Sequence, residues 1–432
     1  MRKNNNKIVY VPMAYDVFHR GHLKIINKAQ SKGKVYLGLL TDKAIAQYKK
    51  IPLIPYNERL RLAKNLKNIT KIIKQDSPNP SNVLNQIKAD YLVHGTDWKN
   101  DNRKIIRSNA IKAIKKVGGK LIEVESTKNI SKEYLKEQEI NLITTESRVS
   151  LLKRLIESQK IVRILEAHSP LTGLIIENLK FAKSSNSREF DGMWSSSLTD
   201  STVRGKPDNQ SVDLSVRYNG ASEILDVTKK PMIFDADNGG RIEHIPWAIK
   251  TMERLGISAI MIEDKIGLKK NSLFKTQKGV KQDSIKNFSK KISAAVNARR
   301  NTDFLIGARI ESFILNKGLD DALKRAEAYS KAGADLIMIH SREKNPKEIF
   351  SFSKKFVKSK HYKPIVAVPS TYYKTKESEL IKNHISIVIY ANHLLRAAYP
   401  AIKEAAKKIL KNERSFETES KISKISEIIS LI

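Results

Sequence analysis

Short apolar runs alternate with amphipathic stretches along the first 145 residues. The period-two and 3.6-residue patterns predict strands at Lys7–Met13, Lys34–Leu40, Ala89–Gly95 and Lys120–Glu125, and helices at His22–Lys32, Asn57–Ile69 and Asp101–Gly119. Strands of this kind, separated by helices, form a parallel sheet covered on both faces, which predicts a Rossmann-like α/β domain over residues 1–145. A polar stretch, Ser126–Ser147, precedes a longer alternation. Eight further strands are predicted at Ile161–Ala167, Asp191–Ser195, Pro231–Asp237, Ala259–Lys265, Phe304–Ile310, Asp335–Ser341, Pro364–Ser370 and Ile385–Asn392, with helical segments such as Leu319–Gly333 between them. Eight strand–helix units predict a closed (β/α)8 TIM barrel over residues 146–432. The last residues carry Ile422, Ile425, Ile428 and Ile429 on one helical face, which must be covered by the chain's own barrel or by a partner subunit.

Composition changes this picture in three ways. The longest apolar runs, Ile385–Leu395 among them, fall short of the roughly 20 residues that span a bilayer. The first residues have neither a continuous apolar stretch nor a small-residue cleavage site, so no signal peptide, no membrane partner and a cytoplasmic location are predicted. The chain has no cysteine, which excludes disulfides, thiolate metal ligands and cysteine nucleophiles. Its 80 Lys+Arg against 45 Asp+Glu give a net charge of +35. The lysines are scattered over nearly every polar face instead of forming one footprint, so no nucleic-acid partner is predicted, and the charge serves to attract small anions.

Candidate chemistry in the first domain follows its first strand, in Tyr15-Asp16-Val17-Phe18-His19-Arg20-Gly21-His22. Two imidazoles three residues apart, with a glycine between them at a helix start, suit an anion such as a triphosphate. With GLLTD (Gly38–Asp42), Lys49 and Lys50, IPYNER (Ile54–Arg59) and HGTDW (His94–Trp98), the domain resembles the cytidylyltransferase-like nucleotidyltransferases, whose hallmark is HxGH after the first strand. The resemblance implies that His19 and His22 bind the triphosphate and stabilise the group in transfer. It places Lys49, Lys50, Arg59, Asp97, Trp98 and Thr127 at the nucleotide and makes CTP the co-substrate. Where related enzymes commonly carry an RTxGIS-like segment, this chain has Ser126 and Asn129 in STKNIS. A second reading of the domain is therefore open: a nucleotide-binding or assembly module without catalysis.

Nearly every strand of the second alternation ends in polar residues, which places a ring of functional groups at the C-terminal mouth of the barrel. Asp235 and Asp237 end one strand, and Glu263 and Asp264 the next. Carboxylates without cysteine or a histidine triad suit a hard cation, Mg2+. Lys265, Lys269, Asn271, Ser272, Arg309 and His340 around them describe a site for a small, highly anionic substrate.

EDKIGLKKNS (Glu263–Ser272), EAHSPLTGLI (Glu166–Ile175), GMWSSSL (Gly192–Leu198), DADNG (Asp235–Gly239), GARIESF (Gly307–Phe313) and VPSTYY (Val368–Tyr373) occur in this order. On these motifs the barrel resembles the phosphoenolpyruvate mutases of the isocitrate lyase superfamily. The resemblance implies Asp235 as the nearest Mg2+ ligand, with Asp237 and Glu263 acting largely through water. Trp194, Ser196, Ser197, Leu198, Lys265 and Ser272 would hold the substrate. Arg309 and His340 would contact the transferred group, Lys269 and Asn271 would belong to a mobile gate, and Asp208 would accept or hold the moving phosphoryl. The implied reaction moves phosphorus from the enol oxygen of phosphoenolpyruvate to C3, giving phosphonopyruvate. Chain organisation alone equally allows a C–C lyase or a phosphonopyruvate hydrolase, and the absence of cysteine weighs against the lyase. Fused to the first domain, a mutase predicts an enzyme of phosphonate biosynthesis that also transfers a cytidylyl group to 2-aminoethylphosphonate or 2-hydroxyethylphosphonate. It also predicts a homo-oligomer, dimer or tetramer, formed through the barrel.

Overall fold

A computed structural model of the chain describes residues 6–16, 18–48, 50–99, 103–125, 144–183, 186–267, 269–274 and 276–432. Lys49, Thr127 and the STKNIS segment lie outside them. The chain divides into two compact units, one built mainly from the residues up to Ser147 and the other mainly from Arg148 onward.

In the first unit five parallel strands, β1 (Ile8–Met13), β2 (Lys34–Leu40), β3 (Ile69–Gln75), β4 (Tyr91–Gly95) and β5 (Lys120–Val124), form a sheet in the order β3-β2-β1-β4-β5. Helices α1 (Arg20–Gln30), α2 (Asp42–Ala46), α3 (Tyr56–Lys64), α4 (Ser81–Ile87) and α5 (Lys104–Lys116) connect them. Two apolar clusters bury the sheet, one around Val9, Val11, Leu37 and Val93, the other around Tyr10, Leu92 and Ile114. The connections reverse direction between the adjacent strands β1 and β4, and ligands of open parallel sheets bind at the C-terminal ends of strands flanking such a reversal.

β3 is the strand that the periodicity did not predict. The expected helix Asn57–Ile69 stops at Lys64, and ITKIIKQ instead pairs with β2 from Val35↔Ile69 to Leu40↔Gln75. As an edge strand it exposes Thr70, Lys71 and Lys74, so its apolar signal is thin.

In the second unit β6 (Val162–Glu166), β9 (Gly192–Ser195), β10 (Met232–Asp235), β11 (Ala259–Glu263), β14 (Leu305–Ile310), β15 (Leu336–Ile339), β16 (Ile365–Ala367) and β17 (Ile385–Tyr390) close into a parallel barrel. All eight expected strands are present and each is shorter than expected; β9 and β14 lose only their first residue, whereas the other six stop before the expected C-terminal residues. Met193, Phe234, Ile260, Ile306, Ala308, Ile337 and Val388 contribute to a continuous core. Two small hairpins stand apart from the barrel: β7 (Lys180–Lys183) with β8 (Asn186–Glu189), and β12 (Lys265–Ile266) with β13 (Lys281–Gln282). The second clips together the two ends of the segment that carries Lys269 and Asn271.

Among the described residues no helix is long and apolar enough to cross a membrane. The helix His393–Asn412 buries none of its side chains, and Ile402 and Leu410 stand 68% and 82% exposed. The short helix Ile425–Ile429 leaves Ile425 and Ile429 exposed as well, so of the two covers expected for that face the chain's own barrel does not supply one.

Candidate active site

At the barrel mouth, strand ends deliver the charged groups and the β12–β13 segment closes over them. Asp235, at the end of β10, accepts from the Ser197 hydroxyl at 3.0 Å and is 5% exposed. Burial works to raise its carboxyl, but the nearby Lys269, Arg309 and Arg217 cations outweigh it and hold it at about 2. Asp237, two residues on, sits in left-handed backbone (φ +51°), rarely adopted by residues other than glycine. Its carboxylate is tied at Oδ1 by Lys269 and at Oδ2 by Arg217, 3.3 Å away.

Glu263 ends β11, is 1% exposed, and faces Arg309 at 3.4 Å and Lys265 at 3.5 Å. Burial pushes its carboxyl up to about 7 against those two cations, and its Oε2 has no hydrogen-bond partner. The neighbouring Asp264 points to the other side of the strand. It accepts from Tyr329 Oη and Gln282 Nε2, both at 2.9 Å, and pairs with Arg325 at 3.2 Å, so it braces the β12–β13 hairpin and does not face the mouth.

Arg309 on β14 donates to Glu311 at 2.6 Å and to Ser272 at 2.9 Å. Glu311 also accepts from Ser272 at 2.6 Å and lies 3.1 Å from His340 Nδ1. Burial, and then the Arg309 charge, hold the His340 imidazole below its ordinary range, so it is neutral near pH 7. Lys265 completes this set through Ser272 at 2.8 Å and the Lys270 carbonyl at 2.9 Å.

Asp208 comes from the loop after the helix Ser197–Val203, and both its oxygens are held from above. Lys269 Nζ donates to Oδ1 at 2.7 Å, and Asn271 Nδ2 to Oδ2 at 2.8 Å. Lys269 also reaches the Ser197 hydroxyl and Asp237, so its ammonium sits among the acidic groups. A cavity of about 60 Å³ remains, lined by Trp194, Ser196, Leu198, Asp208, Asp235, Glu263 and others of the expected set, including Lys269, Arg309 and His340. Of the expected barrel residues Asp237 and Asp264 do not line it. Ser370 and Asn392, read in sequence only as strand ends, do line it, and so do Met338 within β15 and Val368 and Ala391 just after β16 and β17, which nothing in their apolar side chains marks.

The donors fit a hard divalent cation: they are all oxygen, they are buried, and Glu263 Oε2 is an orphan acceptor beside them. Among the described residues no three acidic or imidazole groups converge closely enough to ligate a metal together.

In the first unit, His19 caps α1, accepting from the Gly21 N–H at Nδ1 (3.0 Å), while His22 Nδ1 accepts from the His19 N–H (3.3 Å). With Nδ1 an acceptor in both rings, the proton of each neutral imidazole is on Nε2, and two N–H donors stand beside the amides of the helix start. Burial lowers the His19 pKa and so favours this neutral form. HGTDW begins in the last two residues of β4, the neighbour of β1, and Gly95 lies so near α1 that a Cβ there would stand 3.4 Å from Ile25 Cδ1. The two motifs therefore lie at the C-terminal ends of adjacent strands. Two other expectations are corrected. Arg59, fully buried, spends its guanidinium on the Ala14, Leu40 and Ile54 carbonyls and on Asp42 at 2.6 Å. Trp98, 2% exposed, stacks on His94 with 3.8 Å between ring centroids and donates to Glu123 at 2.9 Å. Both hold the domain together instead of facing a nucleotide. Asp97 is half-exposed and paired with Arg103 at 2.5 Å, and Lys50 is exposed.

The chain thus combines a closed parallel barrel with an acidic and cationic mouth and a parallel-sheet domain with a histidine-capped helix start. Comparison with known proteins gives both parts a family. A model of the phosphoenolpyruvate phosphomutases matches residues 152–410, and one of the cytidylyltransferase-like domains matches residues 11–138. The chain belongs to the phosphoenolpyruvate phosphomutase family, with a cytidylyltransferase-like domain N-terminal to the barrel. It is 34% identical to the phosphoenolpyruvate phosphomutase of Tetrahymena pyriformis over 66% of this chain and 91% of that one. It is 33% identical to the phosphonopyruvate hydrolase of Variovorax sp. (strain Pal2) over 65% and 93%. The crystal structure of a phosphoenolpyruvate phosphomutase from Streptomyces platensis subsp. rosaceus superposes with a TM-score of 0.61 at 32% identity, covering 66% of this chain and 94% of that one.

Proposed function

We propose that the barrel interconverts phosphoenolpyruvate and phosphonopyruvate with Mg2+, and that the N-terminal domain transfers a cytidylyl group from CTP to a phosphonate such as 2-aminoethylphosphonate or 2-hydroxyethylphosphonate. The first half of this reading rests on one arrangement: Asp208, clasped by Lys269 and Asn271, at the wall of a cavity that also holds Asp235, Glu263, Arg309 and His340. In the forward direction the P–O bond to the enol oxygen breaks and a P–C3 bond forms, with no net gain or loss of protons. Asp208 accepts or holds the phosphoryl group between the two bonds, and Lys269 and Asn271 keep its oxygens aimed at it. Ser196, Ser197 and Leu198, with Trp194 and Ser272, hold the anionic ends of the substrate. Arg309 and the neutral His340, both braced by Glu311, contact the transferred group, and Lys265 fixes Ser272. Asp235 would hold the cation directly and Asp237 and Glu263 through water. When bound, the cation stabilises negative charge on the enolate oxygens. The covering segment excludes the water that would divert the phosphoryl group to phosphate.

A phosphonopyruvate hydrolase is the competing reading, motivated by the similarity to the Variovorax enzyme. Phosphorus NMR of the chain with phosphonopyruvate and Mg2+ separates the two. The mutase reading expects phosphoenolpyruvate to accumulate and chelation to stop it; accumulation of inorganic phosphate alone would replace it with the hydrolase.

For the N-terminal domain, the two Nε2–H donors at the start of α1 support charge stabilisation at the α-phosphorus of CTP while a phosphonate oxygen attacks and pyrophosphate leaves. Pyrophosphate release with CTP and each phosphonate tests this. Release with phosphocholine or glycerol 3-phosphate only would exclude phosphonates as acceptors. No release in a chain with an active barrel would favour the nucleotide-binding or assembly module. The uncovered apolar face of the helix His393–Asn412 supports association of barrels into a dimer or tetramer.

A further inference from the structure

We propose that Arg217 is a positioning residue of the barrel site, the fixed countercharge that aims Asp235 and Asp237 at the cation. It lies on the helix Leu214–Asp226, is 2% exposed, and does not line the cavity. Its Nη1 donates to the Asp235 carbonyl at 2.7 Å and lies 3.3 Å from Asp237 Oδ2, while its Nε donates to Asp200 Oδ2 at 3.0 Å. The guanidinium carbon stands 4.4 Å from the centre of the Phe234 ring, on the strand that ends in Asp235 and leads into Asp237.

Asp200 extends the linkage. It also accepts from Ser195 Oγ at 3.3 Å, and Ser195 ends β9 immediately before the Ser196–Leu198 cradle. One rigid planar fork thus joins the Asp237 carboxylate, the backbone of Asp235 at the strand end and, through Asp200, the start of the cradle for the substrate. An ammonium on a flexible stem cannot reproduce that geometry.

Asp237 gives the fork its purpose. A non-glycine residue with φ of +51° persists only where the surrounding structure over-determines it, and two cations hold the Asp237 carboxylate. Lys269 belongs to the covering segment, whereas Arg217 belongs to a barrel helix. Of the two cations on Asp237, Arg217 is therefore the one that stays with it whatever position the segment takes. Its Nη2 is buried without a hydrogen-bond partner, a defect that a purely structural ion pair has no reason to keep.

The inference rests on reading Asp235 and Asp237 as cation carboxylates. It is tested with Mn2+, which takes the same oxygen ligands and can be titrated by electron paramagnetic resonance without turnover. Wild type, Arg217→Lys and Asp200→Asn are compared, with thermal unfolding measured alongside. Loss of an outer-shell partner typically weakens metal binding 10–100-fold. Arg217→Lys is expected to weaken Mn2+ binding by about that factor, and Asp200→Asn several-fold although Asp200 does not line the cavity. Folded variants that bind Mn2+ as wild type does, whatever their unfolding temperatures, would overturn the role of Arg217. If Arg217→Lys does not fold, Asp200→Asn alone decides. A wild-type chain that binds no Mn2+ would instead remove the underlying cation reading, and this inference with it.

Discussion

Asp208 has both carboxylate oxygens committed, one to Lys269 and one to Asn271, and neither donor comes from the loop that carries it. If the carboxylate is needed only while the phosphoryl group moves, Asp208→Ala should lower kcat at least about 10²-fold, the scale for losing one group that acts on the transition state. Binding of an enolate mimic such as oxalate should change little. Near-wild-type turnover would remove Asp208 from the reaction. Asp208 was legible in the sequence through the motif order around it. Arg217 was not, because nothing local marks it: it is a single arginine on the stripe formed with Ala221, Ile224 and Leu225, where an apolar side chain is the default. An arginine at such a position is the available signal, and its meaning appears only once Asp200, Asp235 and Asp237 converge on it. Arg59 and Trp98 show the opposite error. They lie inside motifs that point to a nucleotide, yet burial assigns them to the scaffold.

At the scale of elements, the barrel strands were readable because runs such as IVRILEA and FLIGARI are apolar on both faces and end at turn residues. β3 was hidden by its alternation with exposed lysines at a sheet edge, and the short helices α2 and α4 by their lack of a full amphipathic turn. The close fit of neighbouring barrel strands makes its own prediction. A Cβ at Gly307 on β14 would stand 2.5 Å from Met261 Cε and 2.9 Å from the Ile260 carbonyl oxygen on β11. The methionine can move, but the strand backbone cannot without disturbing the ladder that sets Glu263 beside Arg309. Gly307→Ala should therefore destabilise the barrel by about 1–3 kcal/mol in denaturant unfolding. An unchanged midpoint would mean that the two strands separate freely.

For the whole molecule, the two units have separate sheets and separate cores. His22→Ala should cost about 10²–10³-fold in pyrophosphate release, the scale of one lost oxyanion donor, and should leave phosphonopyruvate turnover within about twofold of wild type. A comparable loss in both reactions would mean that the units act as one. The claim that unites the account is that the barrel passes phosphorus between carbon and oxygen without water. Its most direct test is phosphorus NMR of phosphonopyruvate consumption in ¹⁸O-enriched water with Mg2+. The account predicts phosphoenolpyruvate whose phosphorus carries no solvent oxygen; inorganic phosphate bearing one ¹⁸O as the main product would contradict it.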